Sequence, residues 1–140
     1  MSIDDKLKQI AESDAFKDFT YIYANWYDAD AMLNRMALPA IIHILPVSGV
    51  IERHKGRVAD QESCAIAFVD KVPHDADGEE NKVVFNRMKE KASAFLDAVE
   101  KSGWFEPIAE QVQYDVIYES LSDIVTGVMI SPVIKEIRHC

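Results

Sequence analysis

The sequence predicts an α+β fold, a mainly antiparallel mixed sheet backed by an N-terminal helix and one long central helix, and three observations carry that reading. Residues 79–102 form a capped amphipathic stretch that stops at Gly103, residues 112–118 alternate with period two, and helical and extended segments neither alternate strictly nor segregate. A chain of 140 residues is a common size for one domain, so residues 1–140 are read as a single unit able to bury a core without staples.

Taken in order, Ser2 caps a first helix whose apolar stripe is Ile3, Leu7, Ile10 and Ala11. Asp4 and Asp5 sit at its positive end, and the helix is expected to finish near Asp14. Phe19, Tyr21 and Tyr23 alternate with Thr20, Ile22 and Ala24, which reads as a strand over 19–26. Residues 25–30 then turn the chain, a short helix follows over 29–36, and Pro39 ends it. Residues 40–45 are apolar on both faces apart from His43, the pattern of a central strand covered on two sides. Two further extended stretches, 50–58 and 62–72, are expected to pair as a hairpin, with His54, Lys55 and Gly56 at one candidate turn.

Asp77 with Glu80 three residues later marks the start of the long helix, and Val84, Met88, Lys91, Ala92, Phe95, Leu96 and Val99 recur along one face. Gly103 supplies the left-handed residue that closes a helix. Past Pro107, Val112, Tyr114, Val116 and Tyr118 are read as the buried face of a strand, with Gln113, Asp115 and Ile117 opposite. Ser122 and Asp123 turn the chain into a long last strand over 124–137. Pro132 cannot donate to a ladder, so that strand is expected to be bulged, broken or at an edge there, and an open edge invites association.

Composition excludes several function classes. The chain carries 24 acidic and 15 basic residues, a formal net charge of -9, so a phosphate backbone meets long-range repulsion and no nucleic-acid partner is expected. No apolar run approaches the roughly 20 residues that span a bilayer, and the start lacks a basic, apolar leader, so no membrane partner is expected and the location is read as cytoplasmic.

Candidate chemistry is thin. The acidic segment from His74 through Asp75, Asp77, Glu79 and Glu80 fails as a calcium loop: with Gly78 at the sixth position, Pro73 and Val84 occupy the first and last ligand positions. It reads as a solvated loop that caps the following helix, with adventitious cation binding left open. His43, His54, His74 and His139 share no helical pairing and no zinc spacing with Cys64 or Cys140, so no metal or cofactor is expected. His43 stands out as a histidine on an apolar strand, held in the core or at a subunit contact. There is no nucleophile elbow and no phosphate-cradling glycine loop, and no catalytic residue is assigned. Arg53, His54, Lys55 and Arg57 form the one basic cluster, at the expected hairpin tip, and with the edge at Pro132 they are the candidate interface. Trp26, Tyr27, Trp104 and Phe105 flank element ends as core closure or interface anchors.

In order and texture the chain resembles the small tail-completion proteins of tailed phages and prophages, the tail-terminator and head-tail joining group. The likeness rests on LPAIIHILPVSG at 38–49, CAIAFVDK at 64–71, the helix at 79–102 and TGVMISPVIKEI at 126–137. It implies a sheet backed by helices, a homo-oligomeric ring of six subunits at the end of a tail tube, tail or head-tail connector partners in virion assembly, and no enzymatic activity. A small-molecule-binding or enzymatic α+β domain with a dispersed site is the alternative, and an acidic regulator of a basic protein a third reading.

Overall fold

The computed structural model describes residues 2–33, 37–72, 77–120 and 125–137. In chain order these form α1 (Ile3–Ala11), a 3-10 turn (Asp14–Phe16), β1 (Thr20–Ala24), α2 (Trp26–Leu33), β2 (Ala40–Ile44), β3 (Gly49–His54), β4 (Arg57–Ser63), β5 (Ala65–Lys71), α3 (Gly78–Lys101), β6 (Tyr114–Ser120), β7 (Val125–Ile130) and β8 (Val133–Lys135). One sheet has the order β1-β2-β5-β7-β6 and a smaller one the order β3-β4-β8. Every pairing is antiparallel except β1 with β2, whose parallel register needs the crossover that α2 supplies. The α+β class and the mixed, mainly antiparallel pairing are as expected.

The helices follow from their caps and stripes. Ser2 and Asp5 make a reciprocal capping box on α1, and Ile3, Leu7, Ile10 and Ala11 are its buried residues. Asp77 accepts from the Glu80 amide at the start of α3, and Gly103 (φ 79°) takes the left-handed conformation just past its end. Both helices pack on one face of the larger sheet, where Phe16, Phe68 and Phe95 meet edge to face among Leu7, Met88 and Val99. On the opposite face α2 sets Ala29 against Ile42, Ala67, Val69 and Ile117. Where α3 crosses β7, buried Thr126 donates its hydroxyl to Asn81 Oδ1 at 2.7 Å, and Asn81 Nδ2 donates to the Asp77 carbonyl. This polar pair fixes the start of the helix against the strand.

Several expectations are corrected. The helix after β1 begins at Trp26 rather than Ala29, because Asn25 Oδ1 accepts from the Asp28 amide and caps it in place of a turn. The hairpin lies within the 50–58 stretch rather than between it and 62–72: Lys55 (φ 50°) and Gly56 (φ 81°), at the candidate turn, form a tight reversal, and β4 and β5 are separate strands divided at Cys64. Among the described side chains of β6, Ile117, placed on the polar face by the sequence pattern, is buried, while Tyr114 and Val116 are exposed and the side chain of Tyr118 lies outside the described set. That strand lies at the sheet edge, where α3 covers its near face incompletely. The last strand is broken at Ser131 and Pro132, one of the outcomes expected of that proline, but its two parts go to different sheets: β7 is paired on both sides in the larger one and β8 joins the smaller. The helix end at Met36, the loop residues His74 and Asp75, the turn at Ser122 and Asp123, and His139 and Cys140 lie outside the described residues.

Candidate functional site

The smaller sheet produces a projecting arm. β3 pairs β4 along its whole length, from Gly49 opposite Glu62 to His54 opposite Arg57, whereas β8 reaches only Gln61, Glu62 and Ser63. The Glu136 amide donates to the Asp60 carbonyl, so third-strand support stops there and residues beyond it form a two-stranded ribbon. The register puts Ile51, Arg53, Val58 and Asp60 on one face of that ribbon, with Ile51 and Val58 as diagonal neighbours. Ile51 is 68% and Val58 66% exposed, and Val47 at the entrance to the arm is 93% exposed. Arg53 and Lys55 are exposed beside them, so the tip is both apolar and basic. The side chains of His54 and Arg57 lie outside the described set. Pro132 is buried, its carbonyl accepting from the Cys64 amide between the two sheets. The outer side of β8 is occupied as well, since Glu106 donates to the Lys135 carbonyl and Ile137 to that of Trp104. The edge expected at Pro132 is therefore covered by the chain itself.

A cleft of about 550 Å³ opens between α3, the segment 107–112 and the start of β6. Its floor includes half-buried Leu96, Ile108 and Val112, and exposed Asp97, Glu100 and Glu110 stand on its rim. The apolar floor exists because the chain after Gly103 folds back over α3 before entering β6.

The third feature is a polar cluster where α1, β1, β2 and β4 meet. His43 is 1% exposed and Glu62 8% exposed. The Tyr21 hydroxyl lies 2.9 Å from His43 Nδ1, and His43 Nε2 lies 3.7 Å from Asp4 Oδ1. The Tyr23 ring sits against the imidazole, centroids 4.8 Å apart, and its hydroxyl bonds to Asp4. Burial, and after it the Asp4 carboxylate, pushes Glu62 up to about 7 from its ordinary 4.5, so a substantial share of this carboxyl is protonated near neutrality. Burial lowers the His43 pKa, only partly opposed by Asp4, and the ring is neutral. Both tyrosine pKa values are raised, burial first, and burial pushes the Cys64 thiol up to about 12, leaving it inert at neutral pH. Asp4 Oδ1, His43 Nε2 and Glu62 Oε2 are buried without a hydrogen-bond partner among the described residues. An acidic cleft of about 640 Å³, lined by Asp4, Asp5, Glu12, Tyr21 and Tyr23 among others, reaches this cluster from outside. No group of three or more His, Cys, Asp or Glu among the described residues is placed to hold a metal ion.

Sequence reasoning singled out His43 and the basic tip, and the structure separates them: one is in the core, the other on the arm. It missed Asp4, Tyr21 and Glu62 as a group, because their positions are scattered along the chain. No protein-family model and no curated protein matches the chain.

Proposed function

We propose that the chain is a non-enzymatic structural assembly protein of the tail-terminator or tail-completion kind, acting through contacts with copies of itself and with tail or head-tail connector proteins in a bacterial cytoplasm. The observation that carries this reading is the arm: a ribbon outside both core clusters that holds Ile51 and Val58 in water beside Arg53 and Lys55. An isolated two-stranded ribbon is marginal in water, and β-branched side chains held out on one are stabilised once another surface covers them. The whole-chain resemblance to tail-completion proteins supplies the biological setting. Among the described residues no helix is long and apolar enough to cross a membrane.

The polar cluster favours a second reading, a small-molecule-binding or enzymatic domain. Its arrangement weighs against that use. His43 and Glu62 lie behind Asp4, Tyr21 and Tyr23 and are over nine-tenths buried, so the groups best suited to proton transfer cannot touch a ligand in the cleft. The cluster instead ties α1 to both sheets. Light scattering across a wide concentration range tests the choice. A discrete ring, six subunits by the resemblance, supports assembly; a monomer throughout, with thermal stabilisation by members of a metabolite panel, overturns it.

A further inference from the structure

The arm and the α3 cleft share no residue, yet each presents what the other lacks. The arm offers two exposed aliphatic side chains, Ile51 and Val58, flanked by Arg53 and Lys55. The cleft offers an apolar floor of Leu96, Ile108 and Val112 under Asp97, Glu100 and Glu110, with Lys89 among its lining residues and its ammonium over the Phe85 and Tyr114 rings. With a formal net charge of -9, two copies of this chain repel at long range, so a contact between them is favoured where a basic spot of one meets an acidic spot of the other. The arm tip is that basic spot. The second cleft, beside α1, is also acidic, but tyrosine rings and carboxylates line it and it gives the aliphatic pair no comparable floor.

We infer that the β3–β4 arm of one copy docks in the α3–β6 cleft of a second copy, with Ile51 and Val58 on the apolar floor and Arg53 and Lys55 against Asp97, Glu100 and Glu110. This rests on the assembly reading above and names its first partner, another copy of the same chain. Because the two surfaces differ, the contact is heterologous: each copy uses its arm on one neighbour and its cleft on the next, so copies add head to tail until a ring closes. The contact is salt-sensitive, since the charged rim is exposed while the aliphatic pair is covered.

Two variants and their mixture test it. Arg53→Glu with Lys55→Glu disables the arm, and Asp97→Lys with Glu100→Lys disables the cleft; all four positions are exposed, and lysine near the end of α3 suits the helix dipole. At low salt each variant alone is expected to lose self-association by about tenfold or more, as expected when close charge pairs are reversed. Mixed together they are expected to recover association, because the unchanged arm of one fits the unchanged cleft of the other and the reversed arm fits the reversed cleft. All four changes in one chain restore association to within about threefold of the starting protein, the charges having exchanged places. If the starting protein associates but the cleft variant associates equally well, the arm docks elsewhere: this inference is overturned and the assembly reading stands. A starting protein that remains monomeric at every concentration overturns both.

Discussion

The Tyr21 hydroxyl and His43 Nδ1 lie 2.9 Å apart on adjacent parallel strands, a hydrogen bond made to a buried histidine. With the hydroxyl donating to Nδ1, the neutral ring carries its proton on Nε2, which faces Asp4 Oδ1 at 3.7 Å. Tyr21→Phe removes the donor and leaves a buried acceptor unpaired, which costs about 1–3 kcal/mol. Denaturant unfolding is the measurement. In a His43→Leu background the same change is expected to cost at least about 0.5 kcal/mol less, since the acceptor is already gone. Equal costs in both backgrounds would show that the bond contributes nothing to stability.

Glu62 gives the cluster a pH dependence whose sign can be worked out. Its pKa is about 7 in the folded chain and near 4.5 in the unfolded one, so between these values the folded state binds the extra proton. Stability from this group is complete below about pH 4.5 and is lost as pH rises through about 7. His43 acts in the opposite direction: its pKa lies below the ordinary 6.5, so stability is lost as pH falls beneath that value and the unfolded ring takes up a proton. Charged groups near the pair are Asp4 on α1, Asp60 on β4 and Glu136 after β8, with Lys6 of α1 held 2.8 Å from Glu136. Glu62→Gln mimics the protonated carboxyl at every pH. The thermal midpoint of this variant relative to the starting protein is therefore expected to climb from pH 5 to pH 8. A constant offset across that range would mean that Glu62 is ionised throughout.

The aromatic centre on the α1–α3 face joins three elements through one side chain. Phe95 meets Phe16 at 5.7 Å and Phe68 at 5.6 Å, edge to face, and is 1% exposed. Replacing it with alanine removes the packing that joins α3, the 3-10 turn and β5, and is expected to cost about 3–5 kcal/mol. For a domain of ordinary stability, about 5–15 kcal/mol, that leaves little margin. Phe95→Leu keeps most of the volume and should unfold at a midpoint between the two.

The helices and the hairpin turn were legible in the sequence because their signals are local. Caps at Ser2 and Asp77, stripes such as Leu7 to Ala11 or Met88 to Val99, and the Lys55–Gly56 reversal each lie within one element. The division into two sheets was not, since one apolar run at 125–135 feeds both and only the break at Ser131–Pro132 separates them. On β6, alternation fixed two faces but not which was covered, and position at the sheet edge decided that Ile117 is buried and Val116 exposed. The polar cluster was beyond reach for a related reason. Asp4, Tyr21, His43 and Glu62 come from four elements, and only pairing and helix docking bring them together.

Gly127 offers the sharpest test of the larger sheet. It lies in β7 between Val69 of β5 and Ile117 of β6, so backbone approaches it from both sides. A methyl group built on it would collide with the Phe68 carbonyl and the Val69 α-carbon, and neither can give way without breaking the ladder. Gly127→Ala is therefore expected to cost at least about 3 kcal/mol, the upper range for overpacking, or to yield insoluble protein. Gly78, the first residue of α3, supplies the control: a methyl group there meets no atom within 4 Å, and alanine is the better helix former. Gly78→Ala should leave stability unchanged or raise it by up to about 1 kcal/mol. Should both variants melt together with the starting protein, β7 would not be paired on both sides as described, and the central place of this strand would have to be abandoned.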